Sequence, residues 1–96
     1  MSEARKTLSL RCEMILDPSR PAGTYRTDLK VENLAAASHA YRAWITFTGI
    51  GASGLARGSG EVRDSGGRHA ARISYNGRVW AVDGKGNDIF REILVG

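Results

Sequence analysis

The residues with the clearest chemical pattern are Gly49-Ile50-Gly51-Ala52-Ser53-Gly54. They spell G-x-G-x-x-G, the spacing that brings backbone amides close to a dinucleotide pyrophosphate. The fingerprint works only between a core strand and a helix, with an acid about 20 residues on. Here Gly54 is followed by "LARGSG", which cannot sustain a helix, and the next acid after Glu61 is Asp64, in a turn. The sequence therefore assigns no cofactor to this loop. Ser53 in "GASGL" lacks the second glycine of a nucleophile elbow, because Leu55 stands there. His39 and His69 have no Cys or Glu neighbour at metal-ligand spacing. "DGKGND", residues 83–88, has a lysine among the ligand positions of a calcium loop and Leu94 where its bidentate glutamate belongs. No catalytic residues and no metal are assigned, and the chain reads as a non-enzyme.

Arginine is the residue type with a setting. The net charge is +4, and 11 of the 14 basic residues are arginine. Arginine pairs bidentately with carboxylate or phosphate and stacks on flat groups. Arg57, Arg63, Arg68, Arg72 and Arg78 all fall between residues 57 and 78, opposed there by Glu61 and Asp64. They are the candidate partner-binding residues, for protein or nucleic acid. The competing reading is a solvated hairpin face whose charges prevent edge-to-edge aggregation.

The elements that must carry these arginines follow from periodicity. Residues 7–15, "TLSLRCEMI", alternate with period two: Leu8, Leu10, Cys12 and Met14 face the core, and Ser9, Arg11 and Glu13 face water. Pro18, Pro21 and Gly23 break residues 16–23 into a loop. Residues 24–32 alternate again, with Tyr25, Thr27, Leu29 and Val31 inward and Arg26, Asp28, Lys30 and Glu32 outward. So short a loop forces antiparallel pairing. Asn33 is a helix N-cap. Leu34, Ala37, Tyr41, Trp44 and Thr48 form one helical stripe, which the sequence extends to about Phe47 with Gly49 as the left-handed stop.

Residues 49–59 read as a Gly-rich loop, a mobile basic lip bearing Arg57. In "GEVRDSGGRHAARISYNGRVWAVDG", Asn76-Gly77 signals a two-residue hairpin turn. That turn sets Ile73 opposite Trp80 and Tyr75 opposite Arg78, with Tyr75, Ile73 and Trp80 on the core face. Gly66-Gly67 as a second such turn sets Val62 against Ala71 and Glu61 against Arg72. "IFREILVG" is a last strand or a short helix; its periodicity does not decide. The fold class is α+β, in the order β-β-α-β-β-β: a mostly antiparallel sheet with one helix packed on one face, in a single domain spanning 1–96.

Composition bounds the rest. Hydrophobic residues at 42% and charged residues at 25% are ordinary for a globular domain. The single cysteine, Cys12, allows no internal disulfide and reads as a small core residue. The charged start "MSEARK" and the lack of a long apolar run predict a cytoplasmic protein with no membrane span.

Two stretches carry a resemblance: "TYRTDLKVENLAAASHAYRAWI" and "GEVRDSGGRHAARISYNGRVW", together about half of the chain. They resemble small proteins encoded by phages and other mobile elements, including type I anti-CRISPR proteins. The resemblance implies a small non-enzymatic protein of the bacterial cytoplasm. It would bind a CRISPR-Cas surveillance complex and block target DNA recognition or cleavage. Many anti-CRISPR proteins are acidic DNA mimics. This chain is basic, so it would meet an acidic protein surface or nucleic acid instead. Two other readings stand beside this one: a nucleic-acid-binding accessory protein using the Arg-bearing hairpins, and a homodimeric structural subunit joined through the strand at 7–15 or the C-terminus.

Overall fold

A computed structural model describes residues 7–17, 19–20 and 23–95. The chain forms β1 (Leu8–Ile15), β2 (Thr24–Val31), α1 (Leu34–Thr48), a 3₁₀ turn (Ala52–Gly54), β3 (Glu61–Arg63), β4 (His69–Ile73), β5 (Val79–Val82) and β6 (Asp88–Ile93). All strands join one antiparallel sheet in the order β2-β1-β3-β4-β5-β6. The α+β order expected from the sequence is the observed one, and the ambiguous C-terminal segment is a strand.

β1 and β2 pair over their whole length, Leu8 with Val31 through Ile15 with Thr24. β1 is thus an interior strand, not the free edge expected for residues 7–15. β2 takes that edge, and β6 takes the other.

The helix starts where Asn33 Oδ1 accepts the Ala36 amide at 2.7 Å. It ends at Gly49, whose φ of 72° is the left-handed stop. Ala37, Tyr41 and Ile45 are its buried residues, so the contact stripe runs through Ile45 as well as the expected Tyr41. They meet Leu10, Cys12, Val31, Val62, Ala71, Ile73 and Val79 in one core. Each large aliphatic side chain buried there contributes roughly 1.5–3 kcal/mol. Among the described residues no helix lies on the opposite face of the sheet.

Two inward assignments and one outward assignment from alternation fail. Tyr25 is 54% exposed. Tyr75 sits in a turn and not on a core face. Glu13, assigned to water, is only 8% exposed. The segment after the 3₁₀ turn covers Glu13: Leu55 bridges to Met14, and the Ala56 amide reaches the Glu13 carbonyl at 3.0 Å. Gly60 N bonds Arg11 O at 2.7 Å. The expected lip is therefore fastened to β1 from residue 55 onward. Ser59 is buried there, 2.8 Å from the Tyr41 hydroxyl, and its Oγ accepts the Glu13 amide at 3.0 Å.

The hairpins share one turn. In "DSGGR", "SYNGR" and "DGKGN" the first residue accepts the amide of the fourth: Asp64 from Gly67 at 2.9 Å, Ser74 from Gly77 at 2.8 Å, Asp83 from Gly86 at 2.9 Å. The fourth residue is a glycine with φ between 82° and 88° each time. This is a three-residue hairpin loop closed by a left-handed glycine, a G1 bulge. The two-residue turns expected at Gly66-Gly67 and Asn76-Gly77 do not form. The consequences differ. At the first hairpin an irregularity after Val62 absorbs the extra residue, so Val62 still faces Ala71 and Glu61 still faces Arg72. At the second nothing absorbs it, so Ile73 pairs with Val79 and Arg72 with Trp80. Val79 enters the core, and Trp80 moves to the uncovered face.

Candidate functional site

The register of the last three strands builds a site on the uncovered face. Pairing sets Arg72 beside Trp80 and Trp80 beside Glu92. Ser74 and Arg78 flank the turn on the same face, and their backbones bond at 2.9 Å. Together with Asn76, Asp88 and Phe90 these residues line a cleft of about 330 Å³. That volume lies at the lower end of the range for small-ligand sites.

Phe90 is the unusual wall. Its φ is 58°, and it is the one non-glycine residue at positive φ among the described residues. β6 bulges there: Trp80 pairs with Glu92 but Val82 pairs with Asp88, so β6 carries extra residues against β5. A bulky residue in that conformation costs about 1–2 kcal/mol. The bulge leaves Phe90 85% exposed at the rim of the cleft. Trp80 is half-buried, and its Nε1 donates to Ser74 Oγ at 3.2 Å. Among the described residues the stacked aromatic pair is Tyr41 with Trp44, at 5.9 Å between centroids. Trp80 and Phe90 are therefore not stacked on each other.

The polar groups divide into fixed and available ones. Arg72 grips Asp88 with two guanidinium nitrogens, Nε at 3.0 Å from Oδ1 and Nη2 on Oδ2. That fork anchors the cleft floor and spends both charges. Ser74 Oγ donates to Asn76 Oδ1 at 2.6 Å, which also accepts the Arg78 amide at 3.2 Å. The Asn76 amide nitrogen makes no hydrogen bond among the described residues. Arg78 is exposed and only loosely paired, its Nε 3.9 Å from Glu92. The turn itself is pinned to the helix, with Ser38 Oγ donating to Gly77 O at 2.6 Å and Arg42 to Tyr75 O at 3.3 Å.

Of the five arginines singled out from sequence, the cleft holds Arg72 and Arg78. Arg63 lies farther along the same sheet, paired with Glu61 at 2.9 Å and bonded to Gly67 O at 3.2 Å. Arg57 and Arg68 are exposed and make no ion pair among the described residues. Charges on the uncovered face alternate in register: Asp28 beside Arg11, Glu61 beside Arg72. The face is thus a compensated lattice in which Arg78 is the most loosely paired cation of the cleft, not a uniform basic patch. Trp80, Phe90, Ser74, Asn76 and Asp88 were missed. The missed signal was the Asp/Ser-x-x-Gly repeat, which marks type I turns with glycine at the fourth position.

The other chemical candidates fall elsewhere. Gly49 of the G-x-G-x-x-G run ends a helix, and Gly51 opens the 3₁₀ turn. Asp83 in the calcium-like loop accepts the Asn87 and Lys85 amides at 2.9 and 2.8 Å, which holds its carboxyl below the usual range, Asn87 the more strongly. Among the described residues no group of three His, Cys, Asp or Glu side chains could hold a metal ion. Cys12 is buried, and its thiol is pushed up to about 12 by burial and then by Asp28. No helix of the described residues is long and apolar enough to cross a membrane. A second, shallow groove on the outer face of α1 is lined by His39, Arg42, Ala43, Thr46 and the exposed Phe47.

Compared with known proteins, the chain matches no family model, no curated protein and no solved structure.

Proposed function

We propose that the protein binds single-stranded nucleic acid on the uncovered sheet face, with no catalytic step. The observation that carries this reading is the cleft itself, where two aromatic side chains not stacked on each other meet exposed and anchored arginines. Every nucleobase has a flat face to stack, and stacking on an aromatic residue contributes about 1–3 kcal/mol per base. Trp80 and Phe90 supply two such platforms. Arg78 supplies a phosphate contact, and the Asn76 amide supplies a donor for a base edge. Bases in a duplex cannot enter, so the reading requires preference for single strands.

The test is anisotropy of a labelled single-stranded oligonucleotide, repeated across salt concentrations. One phosphate contact gives a log–log salt slope of about −0.7. Trp80→Ala lowers affinity about 5- to 150-fold, the equivalent of one stacked base. Equal binding of duplex and single strand, or no loss on Trp80→Ala, would sink the proposal.

A second reading keeps the anti-CRISPR resemblance: a non-enzymatic inhibitor that docks on a protein of a bacterial defence complex. Phe47, 89% exposed above the α1 groove, favours it. Under that reading a purified surveillance complex co-elutes with the chain after nuclease treatment, and Phe47→Ser abolishes co-elution while Trp80→Ala does not. Co-elution lost on nuclease treatment counts against it.

A further inference from the structure

The two edges of the sheet are unlike. β6 is broken by its bulge and by Phe90, irregularities that stop another strand from continuing a ladder. β2 is eight residues in unbroken register with β1, with no glycine, proline or bulge.

Hydrogen-bond parity fixes which backbone groups of β2 point away from β1. The Arg11 and Glu13 carbonyls accept from Gly60 and Ala56, on the β3 side of β1. Leu8, Leu10, Cys12 and Met14 therefore turn their backbone groups toward β2, where they meet Val31, Leu29, Thr27 and Tyr25. The bond from Leu16 N to Gly23 O at 3.0 Å continues that alternation. Thr24, Arg26, Asp28 and Lys30 are left pointing their N–H and C=O groups out of the sheet.

We propose that this edge pairs antiparallel with β2 of a second copy, around a two-fold axis at Thr27, to give one continuous twelve-stranded sheet. Outward-pointing residues must bond outward-pointing residues, so even numbers face even numbers. An axis at Asp28 opposes Asp28 to itself and Arg26 to Lys30. An axis at Arg26 opposes Arg26 to itself. An axis at Leu29 matches Asp28 with Lys30 but shortens the ladder to residues 27–31, because β2 ends at Val31. The axis at Thr27 opposes Arg26 to Asp28 twice, Thr24 to Lys30 twice, and pairs residues 24–30, seven of the eight in the strand. On the helix side it brings Tyr25, 54% exposed in one copy, against Leu29 of the other. Opposite charges and aromatic–aliphatic pairs are the favourable cross-strand combinations.

The test is the mass of the full chain by light scattering on a sizing column, with circular dichroism as the fold check. The expected mass is twice the 10.4 kDa of one chain. Arg26→Asp and Asp28→Arg each put like charges opposite and give the single-chain mass. The double swap restores the pairing and the doubled mass. Lys30→Pro removes an outward N–H without touching the β1 ladder, and it also gives the single-chain mass. A wild type that stays single up to about 1 mM, a doubled mass that survives both charge reversals and Lys30→Pro, or a double swap that folds yet stays single would overturn the proposal.

Discussion

Gly60 and Gly67 have nearly the same backbone conformation, φ 88° and 82°, in very different surroundings. A Cβ on Gly67 would meet nothing within 4 Å, whereas one on Gly60 would lie 2.2 Å from the Ile73 carbonyl oxygen. Gly67→Ala therefore suffers only the left-handed penalty of about 1–2 kcal/mol. Reduced freedom of the unfolded chain offsets about 0.4–1 kcal/mol of this, leaving a net loss near 1 kcal/mol. Gly60→Ala carries the same term and must also separate two backbones by roughly 1 Å to reach ordinary contact. One hydrogen bond spans that gap, Ile73 N to Gly60 O at 2.9 Å, and a second holds residue 60 to β1 on its other side, Gly60 N to Arg11 O at 2.7 Å. Losing both adds about 1–3 kcal/mol. The total for Gly60→Ala is then about 2–4 kcal/mol. In a domain of this size each kcal/mol moves Tm by about 4–8 °C. Thermal unfolding followed by circular dichroism should show Gly67→Ala a few degrees below wild type and Gly60→Ala at least twice as far down. Equal losses for the two variants would refute the close approach of residue 60 to β4, and with it the fastening of the 55–60 segment into the sheet.

Other outcomes follow from the same contacts. Asn33→Ala removes the cap on the Ala36 amide and should lower stability by about 1 kcal/mol in urea titration. Glu13 has its carboxyl held below the usual range, first by the Thr24 hydroxyl and then by Arg11. A folded pKa below the unfolded one means that the contribution is complete above the unfolded value near pH 4.3 and is lost as pH falls through the folded one. Glu13→Gln should therefore be less stable than wild type at neutral pH and show a shallower loss on acidification. Cys12, buried and raised to about 12, should resist thiol reagents in the native state and react on addition of denaturant.

The element order was legible because period-two and helical patterns are long in this chain and its breakers are strong. Asn33 and Gly49 could be placed as caps from residue type alone, since each answers a local demand of the helix end. The site was less legible, and the reason is one residue of turn length. Asn76-Gly77 is equally compatible with a two-residue turn and with the end of a three-residue one. The choice decides whether Trp80 or Val79 faces the helix. The arginines could be found by composition, but their pairing could not. The partners of Arg72 and Arg78 come from β6, whose strand character periodicity left open. The exposure of Phe90 depends on a bulge that no local propensity encodes. Burial of Glu13 likewise needs the returning segment 55–60, which reads in sequence only as a run of small residues.

The most direct measurement uses the emission of Trp80. Trp44→Phe leaves Trp80 as the single tryptophan, since the chain has two. Titrating this variant with a single-stranded oligonucleotide should quench Trp80 emission saturably. Phe90→Ala should then weaken the transition about 5- to 150-fold, as expected for loss of one stacking platform. Emission that stays unchanged while the oligonucleotide binds, or no binding at low salt, would contradict a nucleobase-stacking function for this face.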